Sequence, residues 1–290
     1  MRRTLILGAN GMLGFALAHW LADLGRPTIG TVRTARWTSR GTSPEQLICD
    51  VDALDPASVK AAILRSKADI VVNCLAVRSA ETPAQCLRMF RVNGAFPRKL
   101  ACYCAAHAIP LIQFGTDAMF DGVRGGYDEN SPISPQGSYA RSKAWGELRG
   151  TGALTLRTSL IGRSPDCKGT LLDWLLCHRG GPVKGYSRAV FSGLTVTEVA
   201  RFLHERVLDR DPIPHGIAHL AADAIDKHAL LARLAQSWGH DPASVVEDRS
   251  VIHDRSLRTL RTHDFDNYRT PSWPRMIEEM RLFYLRKNLG

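Results

Sequence analysis

The sequence has no long apolar segment and no paired cysteine motif. The N-terminal MRRTLILGANG is interrupted by Gly and Asn after only three apolar residues, so neither a secretion signal nor a membrane-spanning helix is predicted. The seven cysteines are odd in number and include no C-x-x-C, which argues against a disulfide framework and a zinc site. We therefore expect a cytoplasmic protein that has no membrane partner and holds no metal.

Aromatic residues are also sparse, at 7% of the chain, and no aromatic-rich basic stretch of the kind that stacks nucleic-acid bases is present. The formal net charge is nevertheless +10, and the arginines that produce it are scattered along the chain. A basic solvated surface would explain this charge, and so would an anionic small-molecule ligand. Nucleic acid is not an expected partner.

Short apolar runs alternate with segments of helical period from residue 3 to about residue 162, which is typical of strand–helix units around a buried parallel sheet. Beyond that point the rhythm loosens around Gly and Pro clusters. We expect an α/β fold, a Rossmann-type doubly wound parallel sheet with a smaller, irregular C-terminal lobe. Strands are predicted at 3–8, 28–33, 47–50, 69–76, 110–116 and 153–159, and helices near 12–25, 56–67, 84–107, 137–149, 197–209 and 226–238.

A glycine-rich turn, GANGMLG, follows the first predicted strand and opens a helix. Gly8 would allow the tight turn, Gly11 the approach of the backbone to a pyrophosphate, and Gly14 close packing of helix and strand. The amides of Met12 and Leu13 would then face the phosphates from the positive end of the helix. The spacing differs from the usual G-x-G-x-x-G, and a plain strand–helix turn is the alternative.

The end of the second predicted strand bears on the choice of dinucleotide. An acidic residue there would bind the ribose hydroxyl groups of NAD. This chain instead has Arg33, with Arg36 nearby, and an arginine at this place suits the 2′-phosphate of NADP. NADP(H) is therefore favoured, and NAD(H) is the alternative. Asp50, at the end of the third strand, could accept a hydrogen bond from an adenine amino group, although a turn-forming aspartate is nearly as good an explanation.

Tyr139 and Lys143 lie at positions i and i+4, so they share one face of the helix after the fifth strand. A phenol can protonate a ketone oxygen as hydride reduces it, and a neighbouring ammonium is expected to lower the pKa of that phenol. Thr116, at the end of the preceding strand, could donate a second hydrogen bond to the same oxygen. The alternative is a surface Tyr–Lys pair and a strand-end cap.

Together these motifs resemble the extended short-chain dehydrogenase/reductase family, and within it the dTDP-4-dehydrorhamnose reductase branch. The match runs in order through GANGMLG, CDVDALDP, VVNCLAV, RVNGAFP, FGTDAMFDG, SYARSKAWGE, LRTSLIG and FSGLTVTEVA. The resemblance implies an NADP-binding domain at 1–162 that includes the catalytic helix. It implies that 163–290 is mainly a substrate-binding lobe, with segments that return to the main domain.

The resemblance also implies roles for individual residues. The catalytic set would be Thr116, Tyr139 and Lys143. Cofactor contacts would come from Gly8, Asn10, Gly11, Met12, Leu13, Gly14, Arg33, Asp50, Val51, Cys74, Leu75, Ala76, Asn93 and Lys143, of which Asn93 matches an asparagine that supports the site geometry. Substrate contacts are predicted at strand ends and in the irregular half, at Val77, Arg78, Asp117, Arg163, Trp174, Phe191 and Ser192.

The expected activity is NADPH-dependent reduction of a nucleotide-linked 4-keto-6-deoxy sugar. Related dehydratases place a Glu where this chain has Ala118, which cannot act as an acid or base, so dehydration is not expected. An NAD-dependent sugar-nucleotide epimerase and a non-catalytic subunit resembling the beta subunit of methionine adenosyltransferase are the alternatives. A homodimer would pair helices 84–107 and 136–149, although these carry several charges, among them Arg88, Arg91, Arg98 and Lys99.

Overall fold

The computed structural model describes residues 1–34, 46–150, 152–178 and 181–289. The first half contains, in chain order, β1 (Thr4–Leu7), α1 (Met12–Asp23), β2 (Thr28–Thr31), β3 (Leu47–Ile48), α2 (Pro56–Ser66), β4 (Ile70–Asn73), α3 (Pro83–Phe90), α4 (Phe96–Ala106), β5 (Leu111–Phe114), α5 (Gly137–Trp145) and β6 (Ala153–Arg157). The second half contains β7 (Leu160–Ile161), α6 (Leu171–Cys177), β8 (Val183–Tyr186), β9 (Ala189–Phe191), β10 (Leu194–Thr195), α7 (Val196–Arg206), β11 (Gly216–His219), β12 (Ile225–Asp226), α8 (Lys227–Ser237), β13 (Val245–Asp248), β14 (His253–Asp254) and α9 (Trp273–Arg286).

A seven-stranded parallel sheet forms the centre of the fold, in the order β3-β2-β1-β4-β5-β6-β11. The direction of winding reverses between β1 and β4. In open α/β sheets this reversal leaves a crevice at the carboxyl ends of the strands, where ligands bind. The expected α/β, Rossmann-type doubly wound fold is confirmed.

Alternate residues of each strand enter different cores on the two faces of the sheet. On one face, Ile6, Val72 and Ile112 are fully buried in a core that includes residues of α1, α7 and α9. On the other face, Leu5 and Val71 are buried with residues of α2 and α4. Covering both faces in this way explains why the strands are continuously apolar rather than alternating.

The second half of the chain contributes to the main sheet as well as to smaller sheets. β11 pairs in parallel with β6 and forms the edge of the central sheet. Three small sheets, β7–β10, β12–β9–β14 and β8–β13, carry the remaining strands. A short apolar run at 216–222, beyond the six predicted strands, therefore supplies a strand of the central sheet.

One predicted helix, 84–107, is interrupted. α3 ends at Phe90, residues Arg91–Ala95 form a π-helical turn, and α4 begins at Phe96. The wide turn packs tightly on α5, because a Cβ placed on Gly94 would lie 2.1 Å from the Trp145 ring. Extra residues of this kind inside a helix are common at functional sites.

Within the described ranges, no helix is long and apolar enough to cross a membrane. The same ranges contain no group of three or more His, Cys, Asp or Glu side chains placed to hold a metal ion. All seven cysteines are free thiols.

Candidate active site

The glycine-rich turn sets α1 against the sheet. Gly8 has a φ of +86°, which other residues rarely adopt, and its N–H donates to Thr31 Oγ1 at 3.2 Å. A Cβ on Gly14 would lie 2.1 Å from the Gly8 carbonyl oxygen, so only glycine permits this contact. Gly11 precedes α1 and provides no capping side chain. The first amides of the helix are therefore available to an anion, as the sequence predicts.

Two adjoining cavities lie along the carboxyl ends of the strands. The first, which we call the reaction cavity, has a volume of about 450 Å³, and the second, the adenosine-side cavity, has about 240 Å³. Leu75 and Ala76 line both. The other predicted residues in the reaction cavity are Gly11, Met12, Leu13, Cys74, Arg78, Thr116, Asp117, Tyr139 and Lys143. Those in the adenosine-side cavity are Gly8, Asn10, Arg33, Val51 and Val77.

The adenosine-side cavity contains two arginines. Arg33 and Arg88 line it together with Asp52, whose Oδ1 accepts the Leu54 N–H at 2.8 Å. Because two guanidinium groups outweigh this one carboxylate, the charged residues of the lining carry a net positive charge, which suits a phosphate. Asp50 is exposed, has a φ of +61° and does not line either cavity. Arg36 lies outside the described residues.

Thr116, Tyr139 and Lys143 converge on the reaction cavity from two elements. Thr116 follows β5, and its Oγ1 accepts the Ala118 N–H at 3.2 Å and lies 3.4 Å from Asp117 Oδ1. Tyr139 and Lys143 come from α5, and the buried Nζ of Lys143 donates to the Phe114 carbonyl at 2.6 Å. The three side chains that the sequence singled out thus line one cavity.

The pKa values of this set differ from what the sequence suggested. Burial raises the pKa of Tyr139, with the Asp117 carboxylate acting in the same direction and the Thr116 hydrogen bond and Arg78 opposing. The expectation that Lys143 lowers the pKa of this phenol is wrong here, because burial dominates and the ammonium is directed to Phe114. Burial also lowers the pKa of Lys143 to about 8, against the opposing effects of Glu147 and Cys74.

Asn93 does not line either cavity but fixes the loop that does. It lies in the π-helical turn, its Oδ1 accepts the Val77 N–H at 2.8 Å, and its Nδ2 donates to the Val77 carbonyl at 2.8 Å. The same Nδ2 donates to Ser142 Oγ at 3.0 Å, between Tyr139 and Lys143 on α5. Asn93 therefore joins the loop after β4 to α5. Gly14 likewise acts by packing, through its close contact with the Gly8 carbonyl.

The predicted substrate residues divide into two groups. Val77, Arg78 and Asp117 line the cavities. Burial raises the pKa of Asp117, while Lys227 and Arg255 from the C-terminal half oppose that shift. Asp117 is thus a buried carboxyl group facing two cations, directly beside Thr116.

The remaining four predicted substrate residues are engaged elsewhere or lie outside the cavity linings. The buried Arg163 donates to Asp173 Oδ1 at 3.1 Å and to the Leu289 carbonyl, so its guanidinium has a structural role. The Phe191 ring packs 5.7 Å from that of Trp273, and Ser192 Oγ accepts the Leu257 N–H at 2.7 Å. Trp174 is 47% exposed and borders neither cavity lining.

Several lining residues were not predicted from the sequence. Thr158, Ser159 and Ser164 line the reaction cavity at and beyond the end of β6. The predicted strand 153–159 carried a signal for the first two, because polar residues at the carboxyl end of a parallel strand face the crevice. Arg88 offered no such signal, since it lies in the last turn of α3, a helix whose relation to the sheet depends on tertiary packing.

Comparisons with known proteins agree with this geometry. Residues 1–164 match the family described as the RmlD substrate binding domain. A dTDP-4-keto-6-deoxy-D-glucose reductase of Streptomyces niveus is 35% identical over 147 residues, 50% of this chain and 46% of that protein. A dTDP-4-dehydrorhamnose reductase of Mycobacterium tuberculosis is 34% identical over 153 residues, 50% of this chain and 44% of that protein. The chain thus spans about half the length of the curated relatives it matches.

A solved structure covers nearly the whole chain. The dTDP-4-dehydrorhamnose reductase of Bacillus anthracis in complex with NADP superposes with a TM-score of 0.76 at 16% identity, over 97% of this chain and 99% of that one. At this identity the likeness shows the shared fold. Since the family match extends over more than half of the 290 residues, the chain belongs to the RmlD substrate-binding-domain family.

Proposed function

We propose that this protein is a cytoplasmic NADPH-dependent reductase that converts the 4-keto group of a nucleotide-linked 6-deoxy sugar to a hydroxyl group. The observation that carries the proposal is the convergence of Thr116, Tyr139 and Lys143 on the cavity that begins at the glycine-rich turn. Relatives named as dTDP-sugar reductases support it, and the family match over residues 1–164 includes all three of these residues. Residues 163–290 would mainly form the substrate side of the cleft.

The chain's own residues fit this cofactor. The open N-terminus of α1 can receive a pyrophosphate, and Arg33 with Arg88 can receive a 2′-phosphate. Lys143, whose side chain lines the reaction cavity, can donate to a ribose hydroxyl. When bound, NADPH supplies the hydride that reduces the ketone.

Tyr139 acts as the general acid in this proposal. Because burial raises its pKa, the phenol keeps its proton at neutral pH and can give it to the ketone oxygen as negative charge develops there. The Thr116 hydroxyl group lies 3.4 Å from Asp117 Oδ1 and can rotate to donate a hydrogen bond to the same ketone oxygen. The two donors together would hold and protonate one oxygen atom.

Ala118 separates reduction from dehydration. Its small apolar side chain lines the reaction cavity directly after Asp117. A methyl group cannot remove or deliver a proton at neighbouring sugar carbons, so this position offers no acid or base for dehydration. The chemistry that remains is hydride transfer with one proton donated by Tyr139.

A turnover assay tests the proposal. Purified protein is incubated with NADPH and a panel of dTDP- and GDP-linked 4-keto-6-deoxy sugars, and NADPH oxidation is followed by absorbance. We expect oxidation with at least one of these substrates. No oxidation with any of them, or recovery of stoichiometric tightly bound NAD from the purified protein, would contradict the proposal, and the latter would favour an epimerase.

Arg33 is expected to set the preference for NADPH. Replacing Arg33 with Ser should raise the KM for NADPH about 10- to 100-fold, because a charge-assisted hydrogen bond to the 2′-phosphate is lost. The KM for NADH should change little, since that cofactor lacks the phosphate. Steady-state kinetics with both cofactors measure this, and an equal loss for the two would show that Arg33 does not contact the phosphate.

Cofactor affinity should depend on the protonation of Lys143. Its lowered pKa, about 8, means that the ammonium is present below pH 8 and is lost above it. We expect the affinity for NADPH to fall about tenfold between about pH 7 and about pH 9.5, as this charged donor is lost. Fluorescence titration at a series of pH values measures the fall. A Lys143→Met variant should bind weakly and lack this step, so an unchanged pH profile in the variant would refute the assignment.

We further propose that the chain forms a homodimer through the surface of α3 and α5. Leu87 is 63% exposed on α3, and Trp145, 47% exposed on α5, lies near Phe90, with the ring centroids 6.3 Å apart. The substitution Leu87→Arg places a charge on this apolar surface and should shift the monomer–dimer equilibrium toward the monomer. Light scattering at micromolar concentration tests this, and a monomeric wild-type protein would rule the dimer out.

A further inference from the structure

A groove on the face of the sheet opposite α1 lies between α2 and α4. Its cavity of about 200 Å³ is lined by apolar side chains of both helices, including the buried Val59, Ile63, Phe96 and Leu100. Residues Ala53, Leu54 and Pro56 close one end. We call it the α2–α4 groove. The reductase chemistry proposed above does not use it.

Three cations surround this apolar floor. Lys60, Arg91 and Lys99 line the groove and are exposed, and its lining includes no acidic residue. None of the three takes part in an ion pair among the described residues. The Lys60 ammonium instead lies 5.6 Å from the centroid of the Tyr103 ring. The groove thus combines apolar and aromatic walls with an uncompensated positive rim.

Charge and size together indicate the ligand. An inorganic anion would leave the apolar floor uncovered, and a neutral apolar molecule would leave the three cations without a partner. The cavity is smaller than the roughly 300–1,000 Å³ of drug-sized sites, which favours one ring with a short chain. We propose that the α2–α4 groove binds an aryl carboxylate, with the ring against Phe96 and Tyr103 and the carboxylate among the cations.

The groove also adjoins the adenosine-side cavity. Ala53 lines both spaces, and the neighbouring Asp52 lines the adenosine-side cavity while Leu54 lines the groove. A molecule in the groove therefore contacts the same loop that borders the dinucleotide site. By linkage, any effect of that molecule on dinucleotide affinity must be matched by an equal effect in the reverse direction.

Calorimetry on the full chain tests the binding proposal with three probes of matched shape: phenylbutyrate, the neutral phenylbutanol and the cationic phenylbutylamine. The carboxylate should bind at least about tenfold more tightly than the alcohol, and the amine should bind more weakly than either. No measurable binding of phenylbutyrate, or equal affinities for the acid and the alcohol, would overturn the proposal. None of these measurements depends on turnover, so the proposed reaction can fail without affecting them.

Two double variants locate the site. Lys60→Ala with Lys99→Ala should weaken phenylbutyrate binding about tenfold or more, because two cations of the rim are lost. Arg3→Ala with Arg65→Ala removes the same charge from exposed positions outside the groove and should leave the affinity unchanged. Equal weakening in both double variants would overturn the proposal. A change of oligomeric state in the first variant, with binding intact, would also overturn it, because it would assign the groove to a second copy of the chain.

Discussion

Tyr139→Phe is expected to lower kcat about 10²- to 10⁴-fold, the range typical of a lost general acid. The substitution removes only the hydroxyl, so the ring can keep its place on α5 beside the reaction cavity. Affinity for NADPH, measured by fluorescence titration, should remain within about threefold of the wild-type value, because the proton is needed only in the transition state. The rate under saturating NADPH and sugar measures the loss.

Thr116→Val provides the comparison for that result. It removes the second proposed donor and should cost about 10²-fold in kcat, as expected for one hydrogen bond to a developing oxyanion. The Ala118 N–H would also lose its acceptor, so thermal unfolding must be measured alongside. If Tyr139→Phe turned over at the wild-type rate, the protein would not use this phenol as its general acid.

Arg157→Met is expected to lower the free energy of unfolding by about 3–5 kcal/mol, the cost of breaking a buried ion pair. Arg157 on β6 is 1% exposed and donates to both carboxylate oxygens of Glu147, at 2.6 and 2.8 Å. Its third contact is His219 Nε2 on the edge strand β11, at 3.2 Å. Loss of the guanidinium would leave the Glu147 carboxylate buried, with the exposed Arg149 at 3.6 Å as its remaining ion pair among the described residues and with Lys143 acting on it over a longer distance.

Urea denaturation measures this effect against two controls. The double variant Arg157→Met with Glu147→Gln removes both charges and should recover part of the lost stability. Arg281→Ala breaks a more exposed pair with Glu278 and should cost less than about 1 kcal/mol. Similar costs for Arg157→Met and Arg281→Ala would show that the buried pair is not a major contributor to the fold.

The first half of the fold could be predicted closely because its signals are local. Each parallel strand of this half is a short apolar run bounded by turn residues. The observed strands β1 to β6 each lie within the range that the sequence predicts for them. The glycine-rich turn could be predicted equally well, because its requirements lie within seven residues of sequence. Gly8 adopts a positive φ, and Gly14 allows the helix to contact the end of the strand.

The parts that could not be predicted depend on contacts between distant residues. In the π-helical turn, the Asn93 side chain forms hydrogen bonds with Val77 in the loop after β4 and with Ser142 on α5. The hydrophobic periodicity of residues 84–107 carries no information about these distant partners. The role of β11 depends on its pairing with β6, some 60 residues earlier in the chain.

Arg163 illustrates the same limit within the candidate site. Its predicted contact with substrate rested on its position after a strand, but its guanidinium is held by Asp173 and the carbonyl of Leu289 at the far end of the chain. The pKa of Tyr139 depends likewise on burial, which the Tyr–Lys spacing does not show.

Transfer of a labelled hydride tests the central claim most directly. The purified protein is incubated with NADPH that carries deuterium at both C4 positions of the nicotinamide and with the 4-keto-6-deoxy sugar nucleotide that it turns over, and the product is examined by NMR and mass spectrometry. We predict one deuterium at C4 of the sugar, on a single face, and at least about 10²-fold less of this labelled product from the Tyr139→Phe variant over the same interval. A product that carries no deuterium, or carries it at C5 or C6, would contradict the reductase mechanism.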